Sequence, residues 1–488
     1  MVDAGAASAG GDGSTGADHD LTRTISEYLD LHLMFPLLDF VEMNNMYDSA
    51  GVSQARLDLL EPTNMVDYAM EVYQNLHNGA AAPKEMVVRR DKVFARLEEL
   101  KEAASRLIAI VEDPVAVGRL ENEQRFDWNG LQSEFGLPDS MLQSYADLAK
   151  FNYDCGDYKG AGAALKVFLA LSGGAAGSQR GPSALWGRLA CEILSNNSEG
   201  ALALIRDVKA MIEYRGGSAI EQLQQRSWLL HWSLFVFFNH ANGRDELIAL
   251  FFEEKFLQAI QTNCPWLLRY LVTAVVLTRS TGSTSSNKQA QTMRDLIRVL
   301  EQEQGSYSDP ITQFLESLYV NFDFDGALLR RRECEQVLRR DFFLCSVCDE
   351  FMEAARLFTF ETYCRIHRKI DVALLAAKMD MDADAAEKWI ADLIRTSQLD
   401  AKIDSRDNSV VMGASFPSVY QQVIEKTDDL SLRSYVLINN LKQYAQDHAN
   451  GLTDDPNYGQ QRGGYGGGGR GGGRGRGGGG FDRGGYRD

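Results

Sequence analysis

Asp157-Tyr158-Lys159-Gly160-Ala161 recurs as Asn197-Ser198-Glu199-Gly200-Ala201 and again as Asp323-Phe324-Asp325-Gly326-Ala327. Each copy reads Asp or Asn, any residue, a charged residue, then Gly-Ala. Asp and Asn accept hydrogen bonds from the free N–H groups of a helix's first turn, so each copy predicts a helix start. Gly-Ala is then expected to let that helix pack tightly against the one before it. The first two copies lie 40 residues apart and the third 126 further on. A period near ~40 residues is that of helix hairpins stacked into a solenoid. Strand patterns are missing through most of the chain, and helical text joined by short Gly, Asn and Asp turns extends to both sides.

Towards the N-terminus the helical period sets in at Leu21, with Leu29, Leu33, Leu37, Phe40 and Val41 on one face. Pro36 interrupts that run and must kink or restart the helix. Residues 1–19 are an acidic Gly/Ala leader expected to be disordered, without the basic-then-apolar design of a secretory signal. Beyond the second copy, Thr281–Asn287 reads as a surface loop, with helices resuming over Met293–Glu303 and Ile311–Tyr319.

The text changes near Met352. A helix is predicted to about His367, a short one over Val372–Met379, and a third over Ala383–Gln398 with Ala386, Trp389, Ile390, Leu393 and Ile394 on one face. Two β-type runs follow, Ala401–Asp404 and Val410–Gly413, around a turn at Ser405–Ser409. Three helices and a hairpin are the order of a winged helix. A long helix is expected from Pro417 to about His448, and from Gly451 the chain is dominated by Gly, Arg, Tyr and Asp.

The fold class is therefore an all-α helical-repeat solenoid capped by a winged helix with a small β-hairpin, and ending in a disordered Gly/Arg-rich tail. Its expected divisions are a leader (1–19), N-terminal repeats (20–224) and a second region (225–415) that passes from repeats to winged helix at about 351/352. A C-terminal helix (416–448) and the tail (449–488) complete it.

The 488 residues carry a formal charge of −18. From Gly451 onward six Arg face four Asp, about +2, which leaves about −20 on the rest. A field of that sign repels nucleic-acid phosphate, so any RNA contact should come from the tail or a local patch. The winged helix is ill suited to DNA for the same reason: Asp382, Asp384, Glu387 and Asp392 outnumber Lys388 and Arg395 around its third helix. Its expected use is protein–protein packing, with an exposed hairpin edge able to pair with a neighbouring strand.

Chemistry-bearing patterns are scarce. Cys345-x-x-Cys348 suggests zinc, with Cys334, Cys364 or His367 as further ligands, but no second CxxC follows and positions three apart in an apolar helix are ordinary core neighbours. Seven cysteines in apolar text read as reduced thiols. His32, His77, His231, His240 and His367 are scattered, and His231 reads as a satisfied core residue. Gly160 and Gly162 lack the preceding strand of a nucleotide loop. Trp228–Phe238 and Leu267–Leu277, the latter carrying Arg269, are too short to span a bilayer and read as buried helices. Leu29–Phe35 has the spacing of an export signal and equally that of an amphipathic helix. No catalytic residue, cofactor, metal or membrane contact is expected.

The tail carries the one direct signal for nucleic acid. Arg462, Arg470, Arg474, Arg476 and Arg483 offer guanidinium groups to phosphate, and Tyr465, Phe481 and Tyr486 can stack on bases of single-stranded RNA. A solubilising or methylated tail is the plainer alternative.

A helical solenoid ending in a winged helix resembles the PCI-domain family, whose members are subunits of the proteasome lid, the COP9 signalosome and translation initiation factor three. Longer runs narrow the resemblance to the e-subunit family of the initiation factor. These are His32–Phe40, Leu59-Leu60 with Thr63–Met70, Gln225–His240, Leu318–Ala327, Leu399–Ser405 and Tyr420–Thr427. The likeness covers about residues 20–445 and makes residues 225–415 the PCI region.

That resemblance implies a non-catalytic, ribosome-associated scaffold of the cytoplasm, with a minor nuclear pool as a secondary expectation. Its implied partners are the other initiation-factor subunits and the small ribosomal subunit, with mRNA and initiator tRNA recruitment as the outcome and mRNA reached through the tail. In such assemblies winged helices pack into an arc and C-terminal helices into a bundle. Lys402, Ile403 and Val411 are assigned to the arc and Leu432, Val436 and Leu441 to the bundle. A signalosome or proteasome-lid scaffold, or an RNA-binding regulator acting through the tail, are the alternatives. The leader is longer than the family leads one to expect, and the Arg-Gly-Gly tail is not its usual ending.

Overall fold

A computed structural model describes residues 19–449 apart from positions 78, 124, 176, 282–285, 368, 374–375, 377–382, 398–400, 405–408 and 413–418. Two compact units divide it: Met1–Thr396 with Ile403–Val411, and Ser397–Lys402 with Met412–Asp488.

The first unit opens with α1 (Thr22–Ser26), a 3-10 turn at Leu31–Leu33, α2 (Met34–Met43), α3 (Ser49–Leu60) and α4 (Val66–Leu76). Pro36 sits in the first turn of α2, where its missing N–H costs nothing, so it restarts the helix as its position predicts. The stack continues with α5 (Lys84–Val111), α6 (Pro114–Asn122), α7 (Trp128–Phe135), α8 (Asp139–Asp154), α9 (Tyr158–Leu171), α10 (Gly181–Leu194), α11 (Ser198–Tyr214) and α12 (Ala219–Phe237). Consecutive members from α8 to α12 pack on one another and share a single apolar core. Next come α13 (Gly243–Phe251), α14 (Glu254–Asn263), α15 (Leu268–Thr281), α16 (Ser286–Glu303), α17 (Pro310–Tyr319), α18 (Phe324–Arg340) and α19 (Cys348–Ile366). Helix runs further than expected here: α15 reaches Thr281 and α16 begins at Ser286, so of the expected 281–287 loop only 282–285 falls outside these helices and outside the described residues. Two ion pairs fasten α19, Arg244–Glu350 with two bonds of 2.6 Å, and Arg279–Glu361 at 2.7 Å.

The three repeated turns join α8 to α9, α10 to α11, and α17 to α18. In each, the Asp or Asn accepts from the Gly N–H three residues on. The Ala that follows is fully buried in all three, as tight packing requires. The glycine has a different task from the one expected. The cap residues Asp157, Asn197 and Asp323 have ψ of 77°, 82° and 95°, whereas Ser218 and Asp309, which cap α12 and α17, have 148° and 169°. In all three the cap side chain lies over the Gly Cα. A Cβ there would lie 2.1 Å from an Asp157 carboxylate oxygen, 2.6 Å from the Asn197 amide and 2.3 Å from an Asp323 carboxylate oxygen. Ser218 and Asp309 leave room for Glu221 and Thr312 at the same position, and those side chains bond back to complete capping boxes. The residue before each cap is left-handed: Gly156 at +90°, Asn196 at +56° and Phe322 at +51°.

Deep in the C-terminal half, Arg269 on α15 is 1% exposed. Its Nε donates to Asp309 at 2.7 Å, one Nη to Asp341 at 3.2 Å and the other to the His19 carbonyl at 2.8 Å. Tyr307 and Tyr270 donate their hydroxyls to the same two carboxylates. Asp309 also caps α17, and Asp341 holds the N–H groups of Phe343 and Leu344. Burial opposes the charge on Arg269, but Tyr307, Asp309 and Asp341 outweigh it and hold the guanidinium protonated. The leader expected through residue 19 is thus anchored at its last residue.

His231 is a satisfied core residue. Its Nδ1 lies 2.7 Å from the Ser227 carbonyl and its Nε2 accepts from the Trp266 indole at 3.0 Å, which specifies the neutral Nδ1-protonated ring. Tyr28 stacks on it at 4.4 Å and 6°, and Trp232 donates to the Tyr28 carbonyl. All seven cysteines are free, and burial pushes Cys191, Cys264 and Cys364 up to about 12. Cys345 lies in a 3-10 turn and Cys348 opens α19, so the pair is not inside one helix as expected. Among the described residues no cluster of His, Cys, Asp and Glu could hold a metal, and no helix is long and apolar enough to cross a membrane.

Three outcomes are expected of this packing. Arg269→Leu leaves two carboxylates buried without their cation and should lower unfolding stability by about 3–5 kcal/mol in urea titration; a loss under about 1 kcal/mol would mean the node bears little of the fold. Gly160→Ala should destabilise by about 1 kcal/mol because it displaces the cap, yet become stabilising once Asp157→Ala has removed the clash. The same sign in both backgrounds would refute the steric account. Burial lowers the His231 pKa to about 4, below its ordinary 6.5, so the unfolded chain binds the proton first as pH falls. Stability should therefore drop by about 2 kcal/mol between pH 7 and pH 5, a component that His231→Phe should lack.

Candidate subunit interfaces

The winged helix follows α19. Lys369–Asp371 forms β1, Val372, Ala373 and Ala376 are helical, and α20 spans Ala383–Ser397. The rest of the expected 372–379 helix lies outside the described residues. Strands β2 (Ala401–Asp404) and β3 (Ser409–Met412) complete a sheet of order β1-β3-β2. β1 pairs antiparallel with β3, Ile370 opposite Val410. The expected two-stranded hairpin is therefore a three-stranded sheet, with β3 central and β2 at one edge.

Alternation along each strand sets which side chains face the core. Ile370 and Val410 are buried, and so are Ala386 and Ile390 on α20, where Trp389 meets Phe360 of α19 edge-on at 5.5 Å. The alternate positions point outward. Of the residues assigned to an arc contact, Lys402 and Val411 are exposed and Ile403 is half-buried. Val411 sits on the central strand, so it can offer only its side chain, whereas β2 is an edge strand among the described strands. On α20 the exposed charges include Lys388, Asp392 and Arg395, with Arg395 3.7 Å from Asp392.

The second unit contributes one long helix, α21 (Val419–Ala449). Every side chain described on it is exposed, apolar ones included. Val423, Leu430, Leu437 and Tyr444 recur every seven residues, with Tyr420 and Leu441 at the alternate seam positions, and each is at least 58% exposed. At about 100° per residue Leu441 falls on that seam, while Leu432 and Val436 lie on the opposite side. The three residues assigned to a bundle thus do not share one face. The helix is apolar on two sides, the pattern of a helix with neighbours on both.

The tail residues Arg462, Tyr465, Arg470, Arg474, Arg476, Phe481, Arg483 and Tyr486 lie outside the described residues. Sequence reasoning also missed β1, although Lys-Ile-Asp occurs both at 369–371 and at 402–404, and the repeated tripeptide marks both outer strands.

Known families match along this architecture. The eIF3 subunit 6 N terminal domain matches residues 20–152, and the PCI domain matches residues 331–414. The C-terminal region of the E subunit of eukaryotic translation initiation factor 3 matches residues 418–438. Proteins named as that same E subunit are similar over most of their length. The one from Arabidopsis thaliana is 40% identical over 444 residues, 88% of this chain and 98% of the relative. Those from Aspergillus terreus and Culex quinquefasciatus are each 42% identical, covering 86% of this chain and 93% and 94% of the relative.

Proposed function

The chain belongs to the E-subunit family of eukaryotic translation initiation factor 3, and on that footing we propose that it is a non-catalytic scaffold holding other subunits of the factor together. The observation that carries this reading is α21, a helix of 31 residues whose apolar side chains face solvent on opposite sides. A soluble chain does not keep such a helix bare, and similar helices from partner subunits are its natural cover. Val423, Leu430, Leu437 and Leu441 make the main seam of that bundle, with Leu432 and Val436 meeting a further helix behind it. Lys402, Ile403 and Val411 face the next winged helix of an arc, and the edge strand β2 offers a place for strand pairing.

Through the assembled factor the protein acts in the cytoplasm on the small ribosomal subunit, in recruitment of mRNA and initiator tRNA. A minor nuclear pool is a secondary part of this reading. The arginines and aromatics of residues 462–486 add a weak, salt-sensitive contact to single-stranded RNA, with Arg474 among them.

Affinity capture of the tagged protein, followed by mass spectrometry and a sucrose gradient, tests this. The wild type should recover the other subunits in near-equal amounts and migrate with small ribosomal subunits. Leu437→Asp with Leu441→Asp should keep the helical circular dichroism signal while losing most of those subunits. Full recovery by the variant would remove α21 from assembly. Recovery of proteasome-lid or signalosome subunits without ribosomes would overturn the reading as a whole.

A further inference from the structure

A cleft of about 780 Å³ opens in the first unit between residues 27–30 and helices α8, α9, α10 and α12. That volume suits an ordinary ligand site. Ala184, Gly187 and Ala190 are among the residues of α10 that line it, and their small side chains leave room between the larger ones. Three indoles stand around that space. Trp186 lies edge-on to Trp232 at 4.8 Å and 80°, and edge-on to Trp228 at 6.4 Å and 87°. Glu27, Asp30, Asp147 and Asp154 line the cleft as well, against two cations, Lys150 and Arg180.

Those charges do not balance. Arg180 is taken by Asp147, and Asp30 already receives the Tyr153 hydroxyl. Burial pushes the Asp154 carboxyl up, Lys150 opposes this and Asp30 adds to it. The cleft therefore has carboxylate to spare beside aromatic faces set at right angles. Indole face left open beside those edge contacts presents negative quadrupole, which attracts a cation carried on an apolar stem. A phosphate-bearing ligand would meet four carboxylates instead.

We propose that this cleft binds an extended peptide through an arginine side chain, with the guanidinium among the indoles and paired to Asp154. Guanidinium is favoured over ammonium because it is planar, weakly hydrated and able to stack on an indole while offering two parallel donors to a carboxylate. Residues small enough to follow the side chain into the cleft should flank it. The residues of this site belong neither to α21 nor to the winged helix, so its failure would leave the assembly reading standing.

The test is calorimetric titration of the full chain with synthetic Gly-Gly-Arg-Gly-Gly-Arg-Gly-Gly, and with the same peptide carrying citrulline, the neutral isostere, in place of arginine. The arginine peptide should bind at least about tenfold more tightly than the citrulline peptide. Trp186→Leu, and separately Asp154→Asn, should each weaken it about tenfold or more, with thermal unfolding used to confirm that each variant is folded. Trp186→Phe, which keeps a ring, should retain part of the affinity. Equal binding of the two peptides, unchanged binding by folded Trp186→Leu and Asp154→Asn proteins, or no heat at millimolar peptide would each overturn the proposal.

Discussion

One guanidinium, that of Arg269, almost wholly buried, meets two carboxylates and a backbone carbonyl. Each ion loses several kcal/mol of hydration on burial, a cost offset here by an acceptor for each of the three guanidinium nitrogens. Its partners lie 40, 72 and 250 residues from it along the chain. α15 therefore settles in one position relative to the start of α17, the turn after α18 and the incoming N-terminus. Sliding any of these by one helical turn would strand a charge. Apolar packing alone tolerates such slips far better.

The N-terminal segment extends the same constraint. Beyond His19, Tyr28 lies stacked on His231, its carbonyl holds Trp232, and Asp30 takes the Tyr153 hydroxyl. Residues 19–30 thus reach helices that follow them by 120 to 250 positions. Much of the stretch matched by the N-terminal family domain, residues 20–152, shares one apolar core with later helices, from Ile25 and Leu33 through Phe235 to Phe358, while Phe35, Leu60 and Val72, and Leu38, Val41 and Val52, form two small clusters of their own. It is part of a continuous stack.

Helix types and the repeated turns were legible because caps and periodicity act over a few residues. The Asp and Asn caps, the restart at Pro36, the inner face of α20 and strand β2 all follow from local patterns. What was not legible depends on distant partners or on dihedral angles. Arg269 stood out as a lone charge in the apolar run Leu267–Leu277, but nothing nearby pointed to Asp309 and Asp341. The glycine of each turn looked like a packing residue because its reason is where the cap side chain lies, which no composition rule supplies. β1 has only three residues and one buried apolar side chain, too little to show alternation. Along α21 the opposite placement of Leu441 and Leu432 follows from their spacing alone, so it was legible and the assignment of both to one bundle face overlooked it. Phe322 is the outlier: it takes a left-handed turn where its counterparts are Gly156 and Asn196, a conformation that a side chain of its bulk adopts at a cost of about 1–2 kcal/mol.

The exposure of α21 bears on how much of this protein a cell can hold. A newly made copy with no companions carries a long helix with exposed apolar side chains in water, which favours clumping and is open to proteases and chaperones. Covering the helix removes that liability by mass action, in proportion to the companions present. Supply of the chain beyond its companions is then self-limiting, since orphan copies are the vulnerable ones. Under the proposed assembly role, the helix that joins the complex would also tie the amount of this chain to the amount of its companions.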